Sequence, residues 1–126
     1  MSEGLRGVVV SHGALARALV DAVGRITGEH GVLVAVSNEG RDRDGLVQAL
    51  TEAVAGAPAV VFVDLPSGSC LQASARYLHE HADVAVVCGV NLAMLIDFVY
   101  HRNASPEDAA ERAIATGARS VKVWEA

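Results

Sequence analysis

Apolar residues fall in two alternating rhythms along this chain. Short, near-continuous runs rich in Val give way to longer segments whose apolar positions recur every three or four residues. The first run, Leu5–Val10, predicts a strand. Ala14–Gly28 follows as a predicted helix, with Leu15, Leu19, Ala22, Val23 and Ile26 on one face and Gly28 as the stop. Gly31–Ser37 predicts a second strand. The charged stretch 38–44 leads into a second helix that reaches about Gly56 and buries Leu46, Leu50, Ala53 and Val54. Ala59–Asp64 and Asp83–Cys88 predict strands three and four, with a helix over Ser69–His81 between them. Asn91 is placed to cap a helix running to about Arg102. Ser105-Pro106-Glu107-Asp108 is a strong helix start, with a capping hydroxyl, Pro at the first position and acids in the first turn. That helix is expected to stop near Gly117, and Ser120–Trp124 predicts a fifth, terminal strand.

Near-continuous apolar strands, each followed by a helix, imply a parallel sheet covered on both faces. The fold class is therefore α/β, a doubly wound three-layer arrangement of four parallel strands in the order 2-1-3-4. Residues 1–126 read as a single domain. In this order the chain reverses direction between strands 1 and 3, and a crevice opens at their carboxyl ends. Ser11-His12-Gly13 follows strand 1, and Asp64-Leu65-Pro66-Ser67-Gly68-Ser69 closes strand 3. The one His at the end of a strand should thus face the one Asp that ends a strand.

Chemistry gives that pair a use. A carboxylate that accepts from one ring nitrogen of His12 fixes the tautomer and turns the other lone pair outward. Such an imidazole is a nucleophile suited to phosphorus. Ser67-Gly68-Ser69 enters a helix whose free N–H groups attract anions. Each feature also has an ordinary reading. A His after a strand is often solvated, an Asp there is often a turn residue, and Ser-Gly-Ser often marks a plain loop. Their convergence on one point favours a site.

Composition narrows the partners. The formal net charge is -5 with no basic block, so nucleic acid is not expected. The longest apolar run, Ala82–Val90, is broken by Asp83 and is too short for a bilayer. Residues 1–6 lack the pattern of a signal peptide, so a cytoplasmic location is expected. Cys70 and Cys88 have no CxxC spacing and read as reduced thiols. His30, His79, His81 and His101 share no ligand-like spacing, so neither a metal nor another cofactor is expected. Arg17 lies one turn beyond His12, facing either an incoming phosphate or solvent.

Three ordered segments also resemble a known family, the enzyme IIA domain of the mannose-type sugar phosphotransferase system. VVVSHGALARALVDAVGRITGE is similar to its first strand, phosphorylated-His turn and helix. AVVFVDLPSGSCLQASARYL resembles its VDL-x-GGSP-x-NAA loop, and VAVVCGVNLAMLIDFVYHR its GVN-[LI]-PML segment. The resemblance implies that His12 accepts a phosphoryl group from the histidine-containing phosphocarrier protein. It would then pass the group to an enzyme IIB partner for sugar uptake. Membrane contact would come only through permease subunits. Asp64 matches the family's His-bonding Asp, and Ser69 matches the Ser of the phosphate turn, beside Gly68 and Ser67. The resemblance further implies a homodimer in which the terminal strand is exchanged. Five positions differ from the family pattern. Ser67 and Cys70 replace a Gly and the Pro of GGSP, the NAA reads Gln72-Ala73-Ser74, and Ala93 replaces the Pro of GVN-x-PML. A regulatory phosphohistidine protein of the same fold, acting by binding rather than by feeding a permease, is the alternative reading. A nucleotide enzyme fits less well, because neither a GxGxxG nor a GxxxxGK[ST] motif occurs.

Overall fold

The Val-rich runs form strands that pack between two layers of helices, the central two buried from both sides. A computed structural model describes residues 4–125. Residues 1–3, part of the N-terminal stretch read above as lacking a signal peptide, lie outside the described residues, as does Ala126. The chain order is β1 (Arg6–Ser11), α1 (Leu15–Thr27), β2 (Leu33–Ser37), α2 (Arg43–Val54), β3 (Ala59–Val63), α3 (Ser69–His79), β4 (Val84–Cys88), α4 (Leu92–Tyr100) and α5 (Pro106–Arg119). The four strands form one parallel sheet in the order β2-β1-β3-β4, as expected.

Side chains alternate between two cores. Val8 and Val10 of β1, with Val61 and Val63 of β3, face α2 and α3 through Leu46, Leu50, Val54, Ala73 and Tyr77. Val9, Val60 and Phe62 face the other way, onto α1, α4 and α5 through Val23, Leu95, Phe98 and Ala113. Phe62 and Phe98 meet edge to face at 5.2 Å. β1 and β3 are central, and Val8–Val10 and Ala59–Val63 are fully buried. β2 and β4 are edges, and Ala35 and Cys88 on them reach solvent.

Two helix expectations need correction. On α1 the buried positions are Ala16, Val23 and Gly24, whereas Leu15 and Ile26 of the expected stripe are exposed. The inward face centres on Ala16, Val23 and Gly24, with Leu19 and Val20 packed beside it. On α5, Gly117 does not stop the helix, which continues to Arg119. Gly117 is buried, and a Cβ there would come within 2.9 Å of Met94 Cε and 3.1 Å of Asn91 Oδ1. The glycine serves the close approach of α4 and α5. Asn91 joins the two helices: its Oδ1 accepts from Met94 N–H at 3.0 Å as the expected cap, and its Nδ2 donates to Gly117 C=O at 3.1 Å.

The fifth strand expected over Ser120–Trp124 is not formed within the single chain. Val121, Val123 and Trp124 stand 76%, 88% and 80% exposed. A strand needs a ladder partner, and among the described residues this segment reaches none.

Candidate active site

The site grows from the ends of three adjacent strands. β1 runs into His12 and β3 into Asp64, and the register that pairs Val10 with Val63 sets those two residues side by side. His12 N–H donates to Asp64 Oδ2 at 3.0 Å, and the His12 ring Nδ1 lies 2.8 Å from the same oxygen. Leu65 N–H donates to the other oxygen, Oδ1, at 3.0 Å. Facing a carboxylate, Nδ1 carries the proton, so the lone pair is on Nε2. The His12 side chain is 43% exposed and that of Asp64 10%.

Burial alone would raise the Asp64 carboxyl. The donors from His12, the charge of its ring and the Leu65 N–H outweigh it and hold the group below its ordinary 3.8. Asp64 therefore remains an anion well into acid.

The turn that carries His12 is fixed from both sides. Ser11, fully buried, accepts from Ala16 N–H at 2.6 Å through Oγ, a capping contact that Ala14 at the helix entrance cannot make. From the end of β2, Ser37 Oγ donates to Gly13 C=O at 2.8 Å, and Asn38 Oδ1 accepts from Gly13 N–H at 3.1 Å. Sequence reasoning missed these supports, reading 38–44 only as a charged loop. The signal was a polar pair ending the strand that flanks β1.

Across from the ring is the entrance to α3. Gly68 has φ 91 and ψ -172, a backbone conformation essentially restricted to glycine. A Cβ on it would stand 3.7 Å from His12 Cε1 and Nε2, so the loop passes directly over the outward nitrogen. No side chain caps α3, and its first turn holds no acid. Its first N–H groups therefore keep their attraction for an anion. Gly68→Ala is expected to cost about 1–3 kcal/mol from backbone strain and to crowd Nε2. Urea unfolding of the variant beside the parent measures the cost.

Cys70 is fully buried in the α2–α3 core, with Sγ 3.8 Å from His12 Nδ1. Burial, and then the Asp64 charge, push its thiol up against an opposing hydrogen bond from Ser69, so it is protonated at neutral pH. Ser67 and Ser69 flank Gly68 and are exposed. Among the described residues, no hydrogen bond joins either hydroxyl to His12. A groove of about 560 Å³ runs beside the site along β2, lined by Gly13, Arg17, Ser37, Glu39 and Arg41 rather than by His12. The His12 ring thus stands outside the groove, on the exposed side of the site.

The other histidines lie elsewhere. His30 packs on Gly24, His81 stacks on Tyr77 at 3.9 Å, and His101 lies against Asp97 and Arg112. Among the described residues, none of these or His79 enters a group of three metal-capable side chains.

A family model described as the PTS system fructose IIA component, EIIA-man, matches residues 7–115. The chain belongs to the EIIA-man family. It is an EIIA-type phosphotransfer component of a phosphotransferase system. Solved structures carry the same fold. The phosphotransferase system component EIIA from Streptococcus agalactiae superposes with a TM-score of 0.87 at 22% identity, over 94% of this chain and 96% of that one. A mannose/sorbose-specific IIA subunit from Enterococcus faecalis gives 0.86 at 21% identity, over 98% and 97%. A putative phosphotransferase system permease from Klebsiella pneumoniae gives 0.81 at 21%, over 98% and 94%. None of the curated proteins matches this chain in sequence. No helix among the described residues is long and apolar enough to cross a membrane.

Within the EIIA-man fold, the positions of the 67–70 loop that depart from the family pattern keep the architecture. Ser67 precedes a glycine that still makes the turn, and Cys70 occupies the first turn of α3 without disturbing the helix.

Proposed function

We propose that His12 is the phosphoryl-carrying residue of this EIIA component. The observation that carries this reading is the 2.8 Å contact of Nδ1 with Asp64, which leaves the Nε2 lone pair free opposite Gly68. The donor is the phosphorylated histidine-containing phosphocarrier protein. Nε2 attacks phosphorus, the donor's N–P bond breaks, and its electron pair returns to the donor nitrogen. The ring gains positive charge as the new N–P bond forms, and the Asp64 carboxylate stabilises that charge through the Nδ1 proton. The Ser69 hydroxyl, with Ser67, Gly68 and the free N–H groups opening α3, holds the phosphoryl oxygens. In the second half of the cycle Nε2 becomes the leaving group as an enzyme IIB protein takes the phosphoryl onward to sugar uptake. Both partners act in the cytoplasm, and the membrane is met only through the permease they serve.

The same reading makes the protein a homodimer. The exposed Val121, Val123 and Trp124 would pair with a partner's sheet as an exchanged strand. Light scattering is expected to give twice the chain mass, and a chain cut after Arg119 is expected to elute as a monomer. A full-length chain that is monomeric at working concentration would remove the exchange.

The deciding experiment is intact-mass spectrometry after incubation with the phosphorylated phosphocarrier. One acid-labile phosphoryl group per chain is expected. An unmodified chain beside a demonstrably charged donor would end the proposal.

A further inference from the structure

Cys70 is not needed for the transfer just described, yet its sulfur is aimed at the ring that performs it. Among the described residues, His12, Asp64 and Cys70 form the one group of three side chains whose ligand atoms all lie within 4.8 Å of one another. An imidazole nitrogen, a carboxylate oxygen and a sulfur make a donor set typical of zinc. Around a tetrahedral zinc, nitrogen and oxygen ligands lie roughly 3.3 Å apart and nitrogen and sulfur roughly 3.6 Å apart. Here Nδ1 lies 2.8 Å from Asp64 Oδ2 and 3.8 Å from Cys70 Sγ. Asp64 and Cys70 also place their ligand atoms within 4.8 Å of each other, so all three donors converge on one point.

We propose that His12, Asp64 and Cys70 bind one zinc-class divalent cation, and that its binding and phosphorylation of His12 exclude each other. Proton bookkeeping gives the reason. In the free site the ring proton is on Nδ1 and the lone pair on Nε2. Coordination uses the Nδ1 lone pair, so the proton moves to Nε2 and the nucleophilic pair there disappears. The Cys70 thiol releases its proton to solvent and binds as thiolate. One thiolate and one carboxylate neutralise the charge of the metal. Three protein ligands leave the fourth position of a tetrahedral ion to water. Because coordination releases a proton, affinity rises with pH. The blocking effect rests on the phosphocarrier reading, whereas the metal site itself does not.

The test uses Co²⁺ as a spectroscopic stand-in for zinc, added to the reduced full-length protein carrying Cys88→Ala to remove the exposed thiol. A thiolate-to-cobalt charge-transfer band with tetrahedral visible bands is expected, and Zn²⁺ should displace them. Cys70→Ala and the near-isosteric Cys70→Ser should both lose the charge-transfer band. Both should weaken binding by more than the roughly 10- to 100-fold typical of losing a supporting hydrogen bond. Zn²⁺ should suppress phosphorylation of the parent, a chelator should restore it, and the Cys70 variants should ignore Zn²⁺. No charge-transfer band, or one that survives both Cys70 substitutions, overturns the metal site. A normal band with phosphorylation indifferent to Zn²⁺ overturns the mutual exclusion. A normal band on a protein that no charged donor phosphorylates, chelator present, leaves the metal site standing and removes the phosphocarrier reading.

Discussion

His12→Gln abolishes phosphoryl uptake and leaves the fold in place. The side chain is 43% exposed, and its side-chain hydrogen bond to Asp64 is one that a Gln amide N–H can replace in kind. Its backbone N–H remains to satisfy Asp64, and so does that of Leu65. The cost in stability should therefore stay within the roughly 0.5 kcal/mol common for surface changes. The chemical loss is complete, because an amide nitrogen has no available lone pair to form the bond to phosphorus. Intact mass after exposure to the charged donor reads the first effect, and the urea midpoint reads the second. A His12→Gln chain that still takes up an acid-labile group would move the acceptor to another residue.

Asp64→Asn slows transfer by about 10²- to 10⁴-fold, the range seen when the group that orients a catalytic histidine loses its charge. Asp64 presents one oxygen to the two His12 donors and the other to Leu65 N–H. Asn has a single carbonyl oxygen, so its NH₂ must oppose one of these donor sets. If it opposes the ring, the favoured tautomer reverses and the outward lone pair is lost. If it opposes Leu65, the ring keeps an acceptor but loses the anion that stabilises the charged intermediate. Rapid-quench transfer from the charged donor measures the change, and an unaltered rate would remove Asp64 from the mechanism. Stability carries a second signature. The folded carboxyl titrates below its ordinary 3.8, so its stabilisation is fully present above that value and fades as pH falls through the folded value. Parent and Asp64→Asn should differ in unfolding free energy at neutral pH and converge in acid below about 4.

The sheet order was legible because each strand is a run of residues that two cores bury, and a parallel sheet with right-handed crossovers admits few arrangements. His12 and Asp64 could be paired without coordinates for the same reason: adjacency of β1 and β3 places their carboxyl ends together. The face of α1 was not legible. Periodicity marked Leu15 and Ile26 as apolar, but which way a helix at the edge of a sheet rotates is set by close packing of Ala16 and Gly24, a tertiary effect. Gly117 was misread because glycine serves both helix ends and helix contacts, and local sequence does not separate the two uses. Cys70 looked like a filler for a missing proline. Only three-dimensional placement sets its sulfur against the imidazole. The segment 120–124 has strand composition, but a strand is a property of two partners, and among the described residues this segment pairs with none.

The anchoring of the His12 turn has a consequence for how the molecule comes apart. Its contacts run to the ends of β1, β2 and β3, and β1 and β3 are fully enclosed over Val8–Val10 and Ala59–Val63. Backbone amides at such places exchange with solvent only when the whole domain opens. The His12 turn is thus tied directly to the best-buried strands of the domain and is not a frayed surface segment. A partner that docks there meets a geometry already set and spends little free energy on ordering it, so the complex can be weak and short-lived and still be productive.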